Sequence, residues 1–347
     1  MTQGHATVEG TARYAKRFIP HFSDFFTNPQ GMTASSLGIG SYLGNADEAT
    51  SRAYDEAVTV ALDGGVNFID TSLNYRHQLS ERNIGSAVER LIEAGRIARD
   101  EFWVSTKAGY LVPGAVSFGV LGKEDVVNDS HSISPRFLSD QLDRSRRNLG
   151  LGTIDIFYLH NPETQLEELG EDEFYGRVEA AFAMLEEAVS DGKISFYGAA
   201  TWDGFRMKDG GGLSLRRMER IARSIAGELH KFRFIQLPFN LAMPEALQLR
   251  DDAGRSVLEH AVDLDISVVA SASLLQSRLA QGLPEVLHDR LKGLSTDAQR
   301  AIQFARSTPG IDVALVGMSK TVHVAENLGV AHVPPVELAE YLQLFRQ

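Results

Sequence analysis

IDIFYLH, residues 154–160, is a nearly continuous apolar run that ends on an imidazole. Its β-branched and aromatic side chains read as a short strand covered on both faces, as in a parallel sheet. His160 then falls where that strand emerges at its carboxyl end. Two other runs share the pattern: VNFID (66–70) closes on Asp70, and FWVSTK (102–107) closes on Lys107. Tyr75 follows Asp70 by five positions, on the loop leaving its strand. In a closed parallel barrel the carboxyl ends of the strands converge on one face, where barrel enzymes place their chemistry. The pattern predicts one pocket shared by an acid, a phenol, an amine and an imidazole.

The same beat continues on either side. Further strand candidates are SSLGIG (35–40), ISFYGAA (194–200), FRFIQL (232–237), ISVVAS (266–271) and VALVG (313–317). Between them lie helix signals. Ser134-Pro135 is a start pair, and the periodic stretch after it stops at Gly150. A helix from Asp47 stops at Gly64-Gly65, and the stretch 173–192 stops at Gly192. Eight strand–helix units predict an α/β fold of the (β/α)8 TIM-barrel type, as one domain over residues 31–347. Residues 1–30 are expected to form an N-terminal arm on the surface. Two long connections, 110–133 and 202–213, are expected to project over the strand ends as parts of a substrate lid.

Composition narrows the function. The chain has 347 residues and a formal net charge of −12, which argues against a nucleic-acid binder. It has no cysteine, so disulfides, thiolate nucleophiles and Cys-ligated metals are excluded. The ten histidines form no H-x-H or H-E-x-x-H pattern, and no catalytic metal is expected. No apolar run approaches the ~20 residues that span a bilayer, and residues 1–20 lack the apolar core of a secretory signal. A cytoplasmic protein with no membrane partner is the expectation. GIGSYLG (38–44) misses the dinucleotide fingerprint by one place, and its glycines suit a close approach to a ligand or tight packing.

Asp70, Tyr75, Lys107 and His160 together suit reduction of a carbonyl group. Hydride arriving at carbon leaves negative charge on oxygen, which needs a proton. A phenol ordinarily ionises near ~10, and a neighbouring ammonium is expected to lower that value. Lys107 would do this, Asp70 would hold the lysine charged, and His160 would place the substrate oxygen beside Tyr75.

Several ordered motifs resemble the aldo-keto reductase family from about Ser35 to Asn327. NFIDTSLNYRHQLSERNIG (67–85) is similar to the family signature, FWVSTK to its lysine strand and IDIFYLHNP (154–162) to its histidine strand. LEEAVSDGKISFYGAA (185–200), IQLPFN (235–240) and VALVGMSKTVHVAENL (313–328) resemble the helix-Gly-Lys-strand passage, the glutamine strand and the C-terminal cofactor clamp. The resemblance implies a (β/α)8 barrel that reduces an aldehyde, ketone or sugar-like carbonyl with NADP(H). It implies Asp70, Tyr75, Lys107 and His160 as the catalytic four, with Tyr75 the acid. For cofactor contacts it implies Gly40, Ser41, Tyr42, Asp70, Thr201, Gln236 and Ser271, then Gly317, Ser319, Lys320, His323, Glu326 and Asn327. Lys320 and His323 would favour a 2′-phosphate, hence NADPH over NADH. The chain departs from the family pattern at Ala200-Thr201, where Ser followed by Asn or Arg is common. It also has Ser271 for an aromatic and His323 for Arg or Gln. Two other readings stay open beside the reductase: a non-catalytic NADP(H)-sensing subunit, and a same-fold enzyme for a carbonyl-centred elimination or isomerisation.

Overall fold

The computed structural model describes residues 1–207 and 212–345. Eight parallel strands close into a barrel: β1 (Leu37–Gly40), β2 (Phe68–Asp70), β3 (Trp103–Ala108), β4 (Ile154–His160), β5 (Ile194–Ala200), β6 (Phe232–Pro238), β7 (Ser267–Ser271) and β8 (Val313–Gly317). Each pairs with its neighbour in chain order, and β8 closes on β1. The predicted (β/α)8 architecture is therefore the one observed.

Register explains why the polar residues share a face. Gly317 pairs with Gly40, Gly40 with Asp70 and Asp70 with Ser105, so these positions occupy one layer. His160 pairs with Ala200, and Ala200 with Gln236. Beneath this rim the barrel interior is filled by Phe68, Trp103, Ile156, Tyr158, Phe234, Val269 and Val313. The carboxyl-end face is thus a polar rim on an apolar floor.

The surrounding helices obey the local signals. Asp47 caps the helix Glu48–Asp63 by accepting from the Thr50 N–H, and Gly65 takes the left-handed conformation after it. Pro135–Leu149 begins one residue after Ser134 and ends at left-handed Gly150, although the Ser134 side chain makes no cap bond. Glu171–Ser190 precedes left-handed Gly192.

Residues 1–30 do not project as an arm. Thr2 bridges to Leu151, the Ala6 N–H donates to Asp155 Oδ1 at 2.7 Å, and Ala6 joins the interior cluster. The helix Val8–Ala15 then lies against the turn Arg99–Glu101, with Tyr14 buried and its hydroxyl donating to the Leu62 carbonyl. The segment closes the amino-end mouth of the barrel, the face associated with stability. The contact is backbone-tight: a Cβ on Gly10 would sit 2.2 Å from the Asp100 carbonyl oxygen. Gly10→Ala is expected to lower unfolding free energy by about 1–3 kcal/mol without changing the opposite face. Urea denaturation with a ligand titration would check this, and an unchanged midpoint would contradict the packing described.

Candidate active site

Lys107 is fully buried near the end of β3. Its ammonium donates to Asp70 Oδ2 at 2.5 Å and to the Thr71 carbonyl at 2.8 Å. Asp70 is otherwise held by Ser105 Oγ at 2.7 Å and Gln236 Nε2 at 2.9 Å, both on Oδ1. Burial pulls the lysine pKa down while Asp70 pushes it back up. The pair is a charged plug under the pocket floor.

Tyr75 lies above it. The Lys107 Nζ is 5.0 Å from the Tyr75 ring centroid, and the His160 ring stands edge-on to Tyr75 at 5.9 Å. Tyr42 packs on Tyr75 from the other side at 5.0 Å. Among the described residues the Tyr75 hydroxyl makes no hydrogen bond, so it is available to a ligand. Burial first, and the Asp70 charge second, push the phenol pKa well above its ordinary value. This differs from the expectation that Lys107 lowers it. Burial in a low-dielectric wall disfavours the phenolate and the Asp70 carboxylate disfavours it further, which together outweigh the Lys107 ammonium.

The loop bearing Tyr75 is strained and pinned. Arg76, His77 and Gln78 are all left-handed, with φ of 49°, 53° and 73°. Arg76 holds them there by donating to the Asn45 carbonyl, Asn83 Oδ1 and Ser51 Oγ. Such backbone strain clusters at functional sites.

His160 contacts Ser72 Oγ through Nδ1 at 3.1 Å, and Tyr110 stands edge-on to its ring at 5.1 Å. Burial and the Lys107 charge keep its pKa well below the ordinary histidine value, so the ring is neutral. Its carbonyl meets His131 Nε2 at 2.7 Å, and burial lowers the His131 pKa to about 4. Since the unfolded value is near ~6.5, the folded state binds fewer protons between these limits. Stability is therefore full above about pH 6.5 and is lost as pH falls toward 4. Wild type is expected to lose roughly 2 kcal/mol relative to His131→Gln between pH 7 and pH 5. Urea melts at the two pH values test this, and parallel losses would contradict it.

One cavity of about 480 Å³ collects these groups. Asp70, Tyr75 and His160 line it, and Lys107 lies just beneath. Of the implied cofactor contacts, Gly40, Ser41, Tyr42, Thr201, Gln236, Ser271 and Gly317 also line it. Ser319, Lys320, His323, Glu326 and Asn327 do not. They lie just past Gly317, on and before the helix Thr321–Asn327. Lys320 and His323 are exposed there, and among the described residues no hydrogen bond or ion pair engages their side chains.

Several lining residues escaped the sequence reading: Asn74, Asn161 and the run after β7 through Ala272, Ser273, Leu274, Gln276 and Ser277, while Tyr110 and Trp202 open the two connections expected to cover the site. That run contributes more lining residues than the two long connections together. The 110–133 connection contributes Tyr110 alone, while its Val112 and Ala115 pack back onto Leu73. The 202–213 connection contributes Trp202; its residues 208–211 lie outside the described residues.

The closed parallel barrel thus brings a buried Lys–Asp pair, an unengaged phenol and a neutral imidazole to one cavity at its carboxyl-end face. The comparisons agree in class. The family model for the aldo/keto reductase family matches residues 36–341, and the chain belongs to that family. It is 26% identical over 322 residues to a D-threo-aldose 1-dehydrogenase from a Pseudomonas species, covering 86% of this chain and 89% of the relative. Among solved structures it is similar in fold to an aldo-keto reductase from Bacillus halodurans in its holo form. There the TM-score is 0.67 and identity 17%, with 94% and 96% of the two chains covered. It is likewise similar to an aldo-keto reductase from Klebsiella pneumoniae solved with NADPH. That match has TM-score 0.65 and identity 19%, covering 93% of this chain and 94% of the other. Among the described residues, no helix is long and apolar enough to cross a membrane.

Proposed function

We propose that this protein is an NADP(H)-dependent reductase of an aldehyde, ketone or sugar-like carbonyl, with Tyr75 as the general acid. One observation carries the reading: among the described residues the Tyr75 hydroxyl makes no hydrogen bond, and its ring lies beside His160 over the buried Lys107–Asp70 pair in the wall of one cavity.

The cavity wall suits a nicotinamide nucleotide. Among the described residues Thr201 Oγ1 and Ser273 Oγ are buried with no hydrogen-bond partner, and both residues line the cavity. Gln236 spends its amide nitrogen on Asp70, leaving its oxygen as an acceptor for a carboxamide. A Cβ on Gly40 would come no closer than 3.7 Å to any neighbour, and one on Gly317 no closer than 3.4 Å. These are ordinary contact distances, so packing within the protein does not itself require glycine at either position. Past Gly317, Lys320 and His323 are free to meet a 2′-phosphate. When bound, the reduced nicotinamide supplies the hydride.

The chain's own residues handle the proton. A phenol held protonated by burial gives its proton to the carbonyl oxygen as charge develops there. The phenolate left behind is then stabilised by the Lys107 ammonium beneath the ring. Neutral His160 orients the oxygen. With Ser72 donating to Nδ1, the Nε2–H donates to the carbonyl; with Nδ1–H donating to Ser72, Nε2 accepts from the alcohol of the reverse reaction. Asn74, Tyr110 and Asn161 add hydrogen-bonding groups that suit a hydroxylated substrate.

Titrating NADPH and NADH against the protein, read by fluorescence, and then assaying a carbonyl panel tests the proposal. Tight NADPH binding with turnover supports it. Binding without turnover across the panel favours the nucleotide-sensing reading, and no binding of either nucleotide removes both.

A further inference from the structure

Glu163 begins the helix Glu163–Leu169, directly after the His160-Asn161-Pro162 exit from β4. Its side chain faces neither water nor a cation: the residue is 5% exposed, and no salt bridge reaches it among the described residues. Instead Oε1 accepts from three consecutive backbone N–H groups, those of Trp202 at 2.7 Å, Asp203 at 3.1 Å and Gly204 at 3.4 Å. Oε2 is buried and has no partner. Burying a carboxylate is costly unless hydrogen bonds repay it, and three converging N–H groups form a concave anion nest.

What the nest fixes is specific. Thr201 is already held by its N–H donating to the Gln236 carbonyl at 2.8 Å, so it needs no help from Glu163. The next residue has no strand partner. Trp202 lines the cavity with Tyr42 and Tyr75, and the residue is 41% exposed. Arg206 reaches the Trp202 carbonyl at 3.4 Å and Asp203 Oδ1 at 3.1 Å, while the three consecutive amides of the segment rest on Glu163.

We propose that Glu163 is a positioning residue that sets Trp202 as the substrate-facing wall of the cavity, so that the strand-4 exit governs which carbonyl compounds are accepted. The effect on carbonyl selection rests on the reductase reading; the docking of the Trp202 loop does not. Among the described residues no hydrogen bond or ion pair joins the Glu163 side chain to Tyr75, Lys107 or Thr201, so the effect falls on substrate affinity.

Two measurements need no turnover. Hydrogen–deuterium exchange on the wild-type protein should show the amides of residues 202–204 protected despite their exposed loop. The chain has two tryptophans, and Trp103 is fully buried, so acrylamide quenching reports Trp202. Glu163→Gln removes the charge that strengthens the three bonds and should raise the quenching constant about twofold. In turnover, Glu163→Gln should raise KM for the carbonyl by about tenfold, with kcat and nucleotide affinity within about twofold of wild type. Placed on Trp202→Ala it should add nothing further, because both changes act through one side chain. Free exchange at 202–204, unchanged quenching, or a KM effect undiminished in the Trp202→Ala background would each overturn the proposal. Absence of turnover in every variant would count against the reductase reading alone, since exchange and quenching decide the role of Glu163.

Discussion

Replacing Tyr75 with Phe is expected to lower kcat for carbonyl reduction by at least ~100-fold, with nucleotide affinity within about twofold of wild type. The substitution keeps everything that positions the ring. The Lys107 ammonium at 5.0 Å from the centroid still meets a π face, and the edge contacts with Tyr42 and His160 survive. Only the hydroxyl is lost, and it supports no hydrogen bond within the described protein, so stability should hardly change. Neither His160 nor Lys107 takes over as acid, because His160 is held neutral and Lys107 is committed to Asp70 and the Thr71 carbonyl. Steady-state kinetics with a parallel nucleotide titration checks both halves. A comparable fall in nucleotide affinity would mean that Tyr75 is a binding residue and not the proton donor.

Lys107→Met should have the second large effect, on stability as well as rate. The ammonium is the only cation facing Asp70 among the described residues, and without it the buried carboxylate keeps only Ser105 and Gln236 as partners. Breaking a buried pair from one side typically costs about 3–5 kcal/mol, and that loss should appear in urea denaturation. Activity should fall beyond the effect of Tyr75→Phe, because the site loses both the charge under the phenolate and its floor. The double variant Asp70→Asn/Lys107→Met discriminates between these losses. Neutralising both partners should recover much of the stability and none of the activity. If the double variant is as unstable as the single one, the lysine matters for its packing and not for its charge.

Much of the architecture was readable because buried parallel strands write themselves as short apolar runs. Asp70, Lys107 and His160 stood out because polar side chains end three of those runs. The helix limits at Asp47, Pro135 and Gly150 followed from capping chemistry. The failures have equally physical causes. Residues 1–30 lack a strong periodic stripe, since Ala6, Tyr14 and Phe25 reach the core from separate short elements. The cavity wall after β7 depends on left-handed backbone at Ala272, Leu275, Gln276 and Ser277, and ASLLQS carries no glycine to signal it. Asn161 joins the site because it lies one residue past a recognised strand-end group, a position that spacing alone does not mark as functional. The direction of the Tyr75 pKa shift differs from the sequence expectation because burial of the phenol and the Asp70 charge, neither visible in a linear chain, both oppose ionisation.

The most direct measurement is isotope transfer. NADPH carrying deuterium at both C4 positions is incubated with the protein and an aldehyde that it turns over, and the alcohol is analysed by mass spectrometry. One deuterium on the carbinol carbon, with the hydroxyl hydrogen drawn from solvent, is the outcome expected of hydride delivery to carbon and proton delivery through Tyr75. Tight nucleotide binding with no deuterium in any product, across aldehydes, ketones and sugars, would contradict it.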